Sequence, residues 1–279
     1  MDGIKQRDMN PASIGPNIFL SFLRNWNLVF QLTKRNIEAR FKGAALGFLW
    51  SFFTPILMLV VYTFVFGVIL DIRWINQEGG NLEFATILFS GLIVHTYFSD
   101  CIQASTELIV SNRQYVKKVV FPLESLPWVA VFTALFQLTV SILVLILYLL
   151  LVQQSLSWTI LLLPIIIFPL MIMALGFSWL ISAVTVYVRD LRQIIGPLTL
   201  ILLFVSPIFY PASSLPSNFR FLIYMNPISW VVDESRNLIL WGTLPNFGGV
   251  LIYYAVSLVM AWFGLLCFQK LRSGFSDVI

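Results

Sequence analysis

Six long apolar segments alternate with short polar stretches along the 279 residues of the chain. They cover residues 49–70, 84–101, 127–152, 158–184, 194–210 and 247–268. An α-helix of about 20 apolar residues crosses the ~30 Å hydrocarbon core of a bilayer. The pattern therefore predicts an all-α membrane protein with six transmembrane helices.

The second segment is the least typical of a membrane span. It carries His95 and Asp100, and polar stretches flank it on both sides. Its apolar length favours a complete span, and a re-entrant segment is the alternative at this position.

The stretch from Asn17 to Lys42, ahead of the first span, is basic and amphipathic. Its apolar side chains recur at helical spacing, whereas charged and polar side chains occupy the other faces. The apolar set is Phe19, Phe22, Leu23, Trp26 and Phe30. This pattern predicts an interfacial helix whose aromatic side lies among the lipid headgroups. Membrane anchoring alone and an additional contact with a soluble partner both fit it.

Basic residues predict the orientation, because Lys and Arg are retained on the cytoplasmic side of short loops. With the N-terminus inside, 14 of the 17 basic residues fall on that side, and both termini are cytoplasmic. The domains expected are a cytoplasmic N-terminal region (1–48), a six-span domain (49–268) and a cytoplasmic tail (269–279). The six-span domain includes a cytoplasmic coupling segment (107–124) and an external loop (211–246).

Composition limits the chemistry of the chain. Hydrophobic residues make up 59% of it and charged residues 11%, against about 25% charged residues in a soluble domain. Apart from His95 and Asp100, the spans hold almost no ionisable side chains, which disfavours transport through an intramembrane proton or sodium relay. The cysteines Cys101 and Cys267 lack metal-ligand spacing and are predicted to be packing residues.

No GxxxxGK[ST] phosphate-binding loop occurs in the sequence, so the chain does not bind ATP in that manner. Energy for active transport would have to come from a partner. The polar stretch 111–118, followed by Phe121 and Pro122, predicts a short helix that ends near the proline. Such a helix is suited to docking into a cleft of a soluble ATPase.

A series of short motifs runs through nearly the whole chain from about Trp26 onward. They are RFKG (40–43), LGFLW (46–50), VYTFVFG (61–67), KKVVFP (117–122), YVRDLRQ (187–193), SPIFY (206–210), NP (226–227) and FSDV (275–278). Each is weak alone, but their joint order resembles the membrane subunit of type-2 ABC transporters. Within that superfamily it is similar to the polysaccharide-export branch, which includes O-antigen, capsule and teichoic-acid exporters.

The resemblance implies a permease that pairs with a second copy of itself to form a channel above two copies of a separate ABC ATPase. ATP and Mg would be bound by that partner, and this chain would have no cofactor, metal site, catalytic residue or nucleic-acid partner of its own. The expected substrate is a lipid-linked polysaccharide, such as O-antigen on undecaprenyl pyrophosphate, exported from cytoplasm to periplasm. The expected location is the bacterial inner membrane, with multiple passes.

Two groups of cytoplasmic residues are candidates for these tasks. Those assigned to ATPase coupling are Lys34, Arg35, Asn112, Arg113, Tyr115, Lys117 and Lys118. Arg40 and Lys42 lie at headgroup depth before the first span and are suited to the substrate pyrophosphate, since phosphates favour Arg forks and Lys point charges. The alternative for both is that they fix topology or contact anionic lipid.

Aromatic rings and prolines supply two further groups. Flat aromatic rings provide surfaces along which a sugar polymer can slide. The rings assigned to such a channel are Tyr62, Phe66, Phe204, Phe209 and Tyr210. Packing between helices is the alternative for any one of these rings. The external loop is too apolar to be solvated and is predicted to fold back into the outer leaflet as a gate. The gate residues are Pro207, Pro211, Asn226, Pro227 and Trp230.

Two other functions are compatible with the sequence. One is the same architecture exporting a lipid, drug or peptide. The other is a membrane-embedded glycan-modifying enzyme, such as an acyltransferase, which would need a buried site built on His95 or Asp100.

Overall fold

The described part of the chain is mainly helical. A computed structural model describes residue 22 and residues 25–70, 81–116, 121–152, 154, 156–214 and 216–278, and no strand occurs among them. The α-helices are α1 (Trp26–Phe41), α2 (Trp50–Tyr62), α3 (Asn81–Ser105), α4 (Leu108–Ser111), α5 (Arg113–Val116), α6 (Leu126–Val152), α7 (Leu163–Tyr187), α8 (Leu191–Val205), α9 (Arg220–Met225), α10 (Ser229–Arg236), α11 (Phe247–Arg272) and α12 (Phe275–Val278).

Five helical stretches in this part of the chain are long and apolar enough to cross a membrane. They are Gly47–Ile69, Phe84–Ser105, Leu123–Val152, Trp158–Tyr187 and Phe247–Arg272. The shorter apolar helix α8 is the sixth. The prediction of an all-α membrane protein with about six spans is confirmed. Since α3 is continuous over 25 residues, it crosses without a re-entrant turn.

Helix α8 differs most from the predicted span. The apolar run suggested 194–210, whereas the helix begins at Leu191 and ends at Val205 after 15 residues. Ser206 is extended, with φ −72° and ψ 148°, because the ring of Pro207 disfavours helical backbone in the residue before it. The apolar residues after Pro207 therefore lie outside the helix and join the loop that the sequence predicts to be external; residues 206–246 are named the external region after that prediction.

The N-terminal helix α1 lies against α6. The ring of Phe22 stacks on Trp128 with a centroid distance of 4.2 Å, and Trp26 meets Phe132 edge-on at 5.9 Å. Phe30 stays exposed. The aromatic side of α1, which was expected to face headgroups, is thus partly used for packing against the protein.

The tightest helix pair is α7 with α11. A methyl group placed on Gly264 would collide with the carbonyl group of Gly176, so no larger residue fits there. Small residues of this kind let membrane helices approach until their backbones touch. Helices α3 and α7 are mostly buried, whereas α11 remains largely exposed away from α7.

The external region is fastened to the spans by Arg236, whose side chain is 1% exposed. Its Nε donates to the carbonyl oxygen of Ile87 at 3.1 Å and Nη2 to that of Ile208 at 2.8 Å, while Nη1 donates to that of Pro207. Nη1 also lies 3.7 Å from Oδ1 of Asp233. One guanidinium thus joins α10, α3 and the backbone after α8.

Replacing Arg236 by Met should destabilise the permease by roughly 3 to 5 kcal/mol, because the carbonyl groups of three residues and one carboxylate would lose a buried charged donor. The measurement is thermal unfolding of the full chain in detergent. Arg189→Met, at an exposed position, is the matched control and should unfold like the wild type. An unchanged midpoint for Arg236→Met would contradict this account of the external region.

Candidate functional site

A groove of about 590 Å³ opens between α1, α2, α3 and α6. Its walls combine aromatic faces from Trp50, Tyr62 and Phe89 with hydroxyl and amide groups. The polar uncharged side chains are Ser51, Thr54, Thr96, Gln137 and Ser141. The groove therefore offers hydrogen bonds and flat apolar faces side by side, as a surface for sugars requires.

Two charged side chains lie at one end of this groove, Arg40 from the end of α1 and Asp100 from α3. Both belong to the same side of the molecule, because α3 runs back toward the side where α2 begins. Neither makes a hydrogen bond or ion pair with a residue that the structure describes. Arg40 is nevertheless close enough to act on the Asp100 carboxylate electrostatically, so this end of the groove carries two opposite charges side by side.

Lys42 lies beside the groove rather than in it. It lines a neighbouring cavity of about 780 Å³ together with Lys34 and Arg35. Phe41 separates Arg40 from Lys42 and packs edge-on against Phe48 at 5.8 Å. The backbone reverses after α1 at Gly43, whose φ of +85° favours glycine. The two predicted phosphate ligands therefore share one turn but face different cavities.

The predicted channel aromatics fall into two groups. Tyr62 lines the groove, and Phe66 lies 5.7 Å from Phe84 and packs against α3. At the C-terminal end of α8, Phe204 stacks on Phe209 with a centroid distance of 5.6 Å. The hydroxyl of Tyr210 donates to the carbonyl oxygen of Phe204 at 2.8 Å. Phe204 is 60% exposed. The second group is thus an outward-facing aromatic cluster at the end of α8.

The predicted ATPase-coupling residues are partly brought together. Arg35 Nη1 donates to the hydroxyl of Tyr115 at 3.2 Å, and Tyr115 stacks on Phe121 at 4.3 Å. Lys34 pairs instead with Glu38 on its own helix at 3.9 Å. These contacts join α1 to the coupling segment.

The coupling segment itself contains two four-residue helices, α4 and α5, rather than one short helix. They are separated at Asn112, whose Nδ2 donates to the carbonyl oxygen of Leu108 at 2.8 Å. Arg113 is exposed, and Lys117 and Lys118 lie outside the described residues.

Ion pairs that the sequence pattern did not reveal hold both ends of the coupling segment. At its start, Arg192 of α8 lies 3.6 Å from Glu107. At its end, Arg272 of α11 lies 2.6 Å from Glu124 and also donates to the carbonyl oxygen of Phe121 at 3.2 Å. The segment is therefore connected to two spans that are distant from it in sequence.

The predicted gate residues form hydrogen bonds around the external region. Asn226 Nδ2 donates to Oγ of Ser206 at 2.8 Å, and the hydroxyl of Tyr253 in α11 donates to the carbonyl oxygen of Pro227 at 2.6 Å. Trp230 stacks on Tyr253 at 5.1 Å. The carbonyl oxygen of Pro207 accepts a hydrogen bond from Arg236. Pro211 follows in the loop between α8 and α9 and is half-buried.

A third cavity, of about 640 Å³, is lined by Asn226, Pro227 and Trp230, and Asp233 lines it as well. Burial raises the pKa of Asp233 to about 6, and the neighbouring Arg236 opposes that rise. The carboxyl group therefore changes charge near neutral pH at the external side.

His95 and Asp100 do not form one site. Nε2 of His95 lies 2.9 Å from the carbonyl oxygen of Thr199, so the ring serves as a buried link between α3 and α8. Asp100 is five residues further along and faces the groove. In the described part of the chain, no three His, Cys, Asp or Glu side chains come together as a metal site. The geometry gives no support to an enzyme built on this pair.

The sequence matches the family model described as ABC-2 type transporter over residues 27–240. The chain belongs to the ABC-2 type transporter family. It is therefore a multi-pass membrane permease, in agreement with its helices.

Curated relatives cover most of this ABC-2 chain. It is 27% identical over 256 residues to the O-antigen export system permease protein RfbA of Klebsiella pneumoniae. The aligned residues cover 91% of this chain and 95% of that relative. The RfbA protein of Myxococcus xanthus is 27% identical over 254 residues, or 90% and 95% of the two chains. The polysialic acid transport protein KpsM of Escherichia coli is 25% identical over 246 residues, or 84% and 90%.

Changing Tyr115 to Leu should loosen the coupling segment of this ABC-2 permease, because a ring stack and a hydrogen bond to Arg35 are lost. Together these contribute about 1 to 3 kcal/mol, so amide hydrogen exchange in residues 108–116 should quicken roughly tenfold or more. Tyr224→Leu, at a ring that is 85% exposed on the external side, is the control. Equal exchange in both variants would show that the stack does not hold the segment.

Proposed function

We propose that this ABC-2 chain is the permease subunit of an ATP-driven exporter that moves a lipid-linked polysaccharide across the bacterial inner membrane. The observation that carries the proposal is the groove between α1, α2, α3 and α6, where aromatic faces alternate with uncharged hydroxyl and amide groups. The chain that holds this groove is similar over about nine tenths of its length to O-antigen export permeases.

The lipid-linked end of the substrate is proposed to enter past Arg40 and Lys42. Both side chains are exposed where the chain turns from α1 into the first span. Arg40 lies at the charged end of the groove, where Asp100 is the nearby opposite charge. Because the two side chains face different cavities, each is proposed to meet the pyrophosphate separately as the lipid end passes the turn, Arg40 as a fork and Lys42 as a point charge.

A second copy of the chain is proposed to complete the channel. Helix α8 buries only Ile195 and Thr199, and its exposed side includes Ile194, Leu198 and Ile201. The first span is likewise mostly exposed. A homodimer that joins these two spans across a symmetry axis would close the open side of the groove. It would also place Phe204, Phe209 and Tyr210 near the external end of the channel.

Two copies of an ABC ATPase are proposed to bind the cytoplasmic side and to hold ATP and Mg. The surface available to them comprises α1 and the coupling segment, which Arg35 and Tyr115 link. Ion pairs connect the ends of that segment to α8 and α11. A displacement of the coupling segment by the ATPase would therefore be transmitted to both of these helices. Lys34, Asn112, Arg113, Lys117 and Lys118 remain proposed members of this contact.

The test is ATP hydrolysis by the permease reconstituted with its ATPase in vesicles, with and without an undecaprenyl pyrophosphate-linked glycan. The glycan should stimulate hydrolysis, and Arg40→Gln combined with Lys42→Gln should reduce the stimulation roughly tenfold, since charged contacts to phosphate are each worth more than 1 kcal/mol. The amount of permease in the membrane should not change.

The control removes the same charge elsewhere, by Arg189→Gln combined with Lys270→Gln at exposed cytoplasmic positions. It should respond like the wild type. If the Arg40 and Lys42 variant were absent from the membrane, these residues would act in topology rather than in substrate binding. If a lipid, drug or peptide stimulated hydrolysis and the glycan did not, the exporter would belong to another substrate class.

A further inference from the structure

The third cavity, of about 640 Å³, is formed by α9 and α10 on one side and by α7 and α11 on the other. Along α11 its lining residues run from Gly249 to Met260, which is about 16 Å at the helical rise. The hydrocarbon core is ~30 Å thick, so this length corresponds to one leaflet. Because α11 begins at Phe247, directly after the external region, the leaflet concerned is the one on the external side.

The walls of this cavity differ in polarity. The spans α7 and α11 contribute no charged side chain among the described lining residues, and their wall is largely apolar: Met173, Phe177, Ile252, Val256 and Met260. The charged lining residues both come from the external region, Arg220 at the start of α9 and Asp233 in α10. The cavity is therefore amphipathic, with an apolar wall one leaflet long and a charged wall on the external side.

The charges around this wall balance one another. Arg220 and Arg236 are the cations, and Asp233 and its neighbour Glu234 are the anions. The site therefore has no net charge that would attract a simple anion or a simple cation. It offers a cationic donor and an anionic acceptor on the same wall.

The Asp233 carboxylate can still accept hydrogen bonds from a ligand. Its Oδ1 lies 3.7 Å from Nη1 of Arg236, beyond hydrogen-bond distance, and the N–H groups of Arg236 donate to three backbone carbonyl oxygens. The Asp233 side chain is 44% exposed. Oγ of Ser229, on the same wall, is buried and has no hydrogen-bond partner among the described residues. Polar groups in such surroundings normally have partners, so acceptor sites are left over here.

A zwitterionic phospholipid has the chemistry that this cavity lacks. Its phosphate accepts from the exposed guanidinium of Arg220, and a primary ammonium group has three N–H donors for the carboxylate of Asp233. Its acyl chain covers the apolar wall along α7 and α11. A sugar fits less well, because its hydroxyl groups would lose water against that wall without gaining partners.

We propose that the third cavity binds a phospholipid of the external leaflet with a primary ammonium headgroup, such as phosphatidylethanolamine, through Arg220 and Asp233. The bound lipid joins the external region to α7 and α11, beside the hydrogen bond from Tyr253 to the carbonyl oxygen of Pro227. This site is independent of which substrate the permease exports.

The experiment is native mass spectrometry of the full-length permease, freed of lipid in detergent and titrated with three lipids that have identical acyl chains. They are phosphatidylethanolamine, phosphatidylcholine and phosphatidylglycerol. The buffer is set at about pH 8, where Asp233 is ionised because its pKa is about 6. Phosphatidylethanolamine should bind roughly tenfold more tightly than the other two, since neither of those has an ammonium N–H to donate.

Two pairs of variants locate the site. Asp233→Asn should remove the preference for phosphatidylethanolamine, while Asp277→Asn, at an exposed position of the tail, should keep it. Val256→Trp fills the apolar part of the cavity and should weaken binding of all three lipids roughly tenfold. Val259→Trp, on an exposed face of the same helix outside the cavity, is its control and should bind like the wild type. Arg220→Gln should weaken all three lipids alike.

The Val256 and Val259 pair tests the site even if Asp233→Asn disturbs the fold through its contact with Arg236. Equal binding of the three lipids by the wild type would overturn the inference, and so would unchanged binding in Val256→Trp. Binding of a soluble glycan that displaces the lipid would assign the cavity to the substrate and would also overturn it. Neither ATPase nor export is measured, so failure of this inference leaves the export function in place, and failure of export leaves the lipid site in place.

Discussion

The backbone carbonyl groups that follow Val205 set the main constraint on this structure. Helix α8 stops there, so these groups have no partner within a helix, and burial of Ser206 and Ile208 in the protein keeps water from replacing one. Arg236 supplies the donors from α10, and it reaches α3 through Ile87 at the same time. The external region must therefore fold onto the spans for α8 to end where it does.

This constraint also shapes the groove. Holding the end of α8 against α3 fixes one side of α3, to which His95 contributes a further link at Thr199. The opposite side of α3 is left to face α2 and carries Thr96 and Asp100 into the groove. From Asp100 to Glu107 the chain advances about 10 Å at the helical rise. The groove and the ion pair at the start of the coupling segment are thus close neighbours.

Apolar length was sufficient to predict the number and approximate bounds of the spans, because the thickness of the hydrocarbon core sets how many apolar residues a span needs. It failed at 206–210, where Ile208 and Phe209 are apolar but belong to the external region. Hydropathy cannot separate residues that cross the membrane from those that fold back onto the protein, although Pro207 gave a local signal of the break. No local pattern indicated that Arg236 is buried, since the carbonyl groups that accept its hydrogen bonds come from positions distant in sequence.

The candidate site was predictable only in part for the same reason. Arg40, Asp100 and Tyr62 stood out as charged or aromatic residues near spans, whereas Gln137 and Ser141 of α6 joined the groove through packing that no periodicity reveals. The packing is itself uneven. Helices α7 and α11 approach until their backbones touch at Gly176 and Gly264, while the first span and α8 bury few of their side chains. Apolar length is similar in tightly packed and in open helices, so it could not show which spans are held by the rest of the chain.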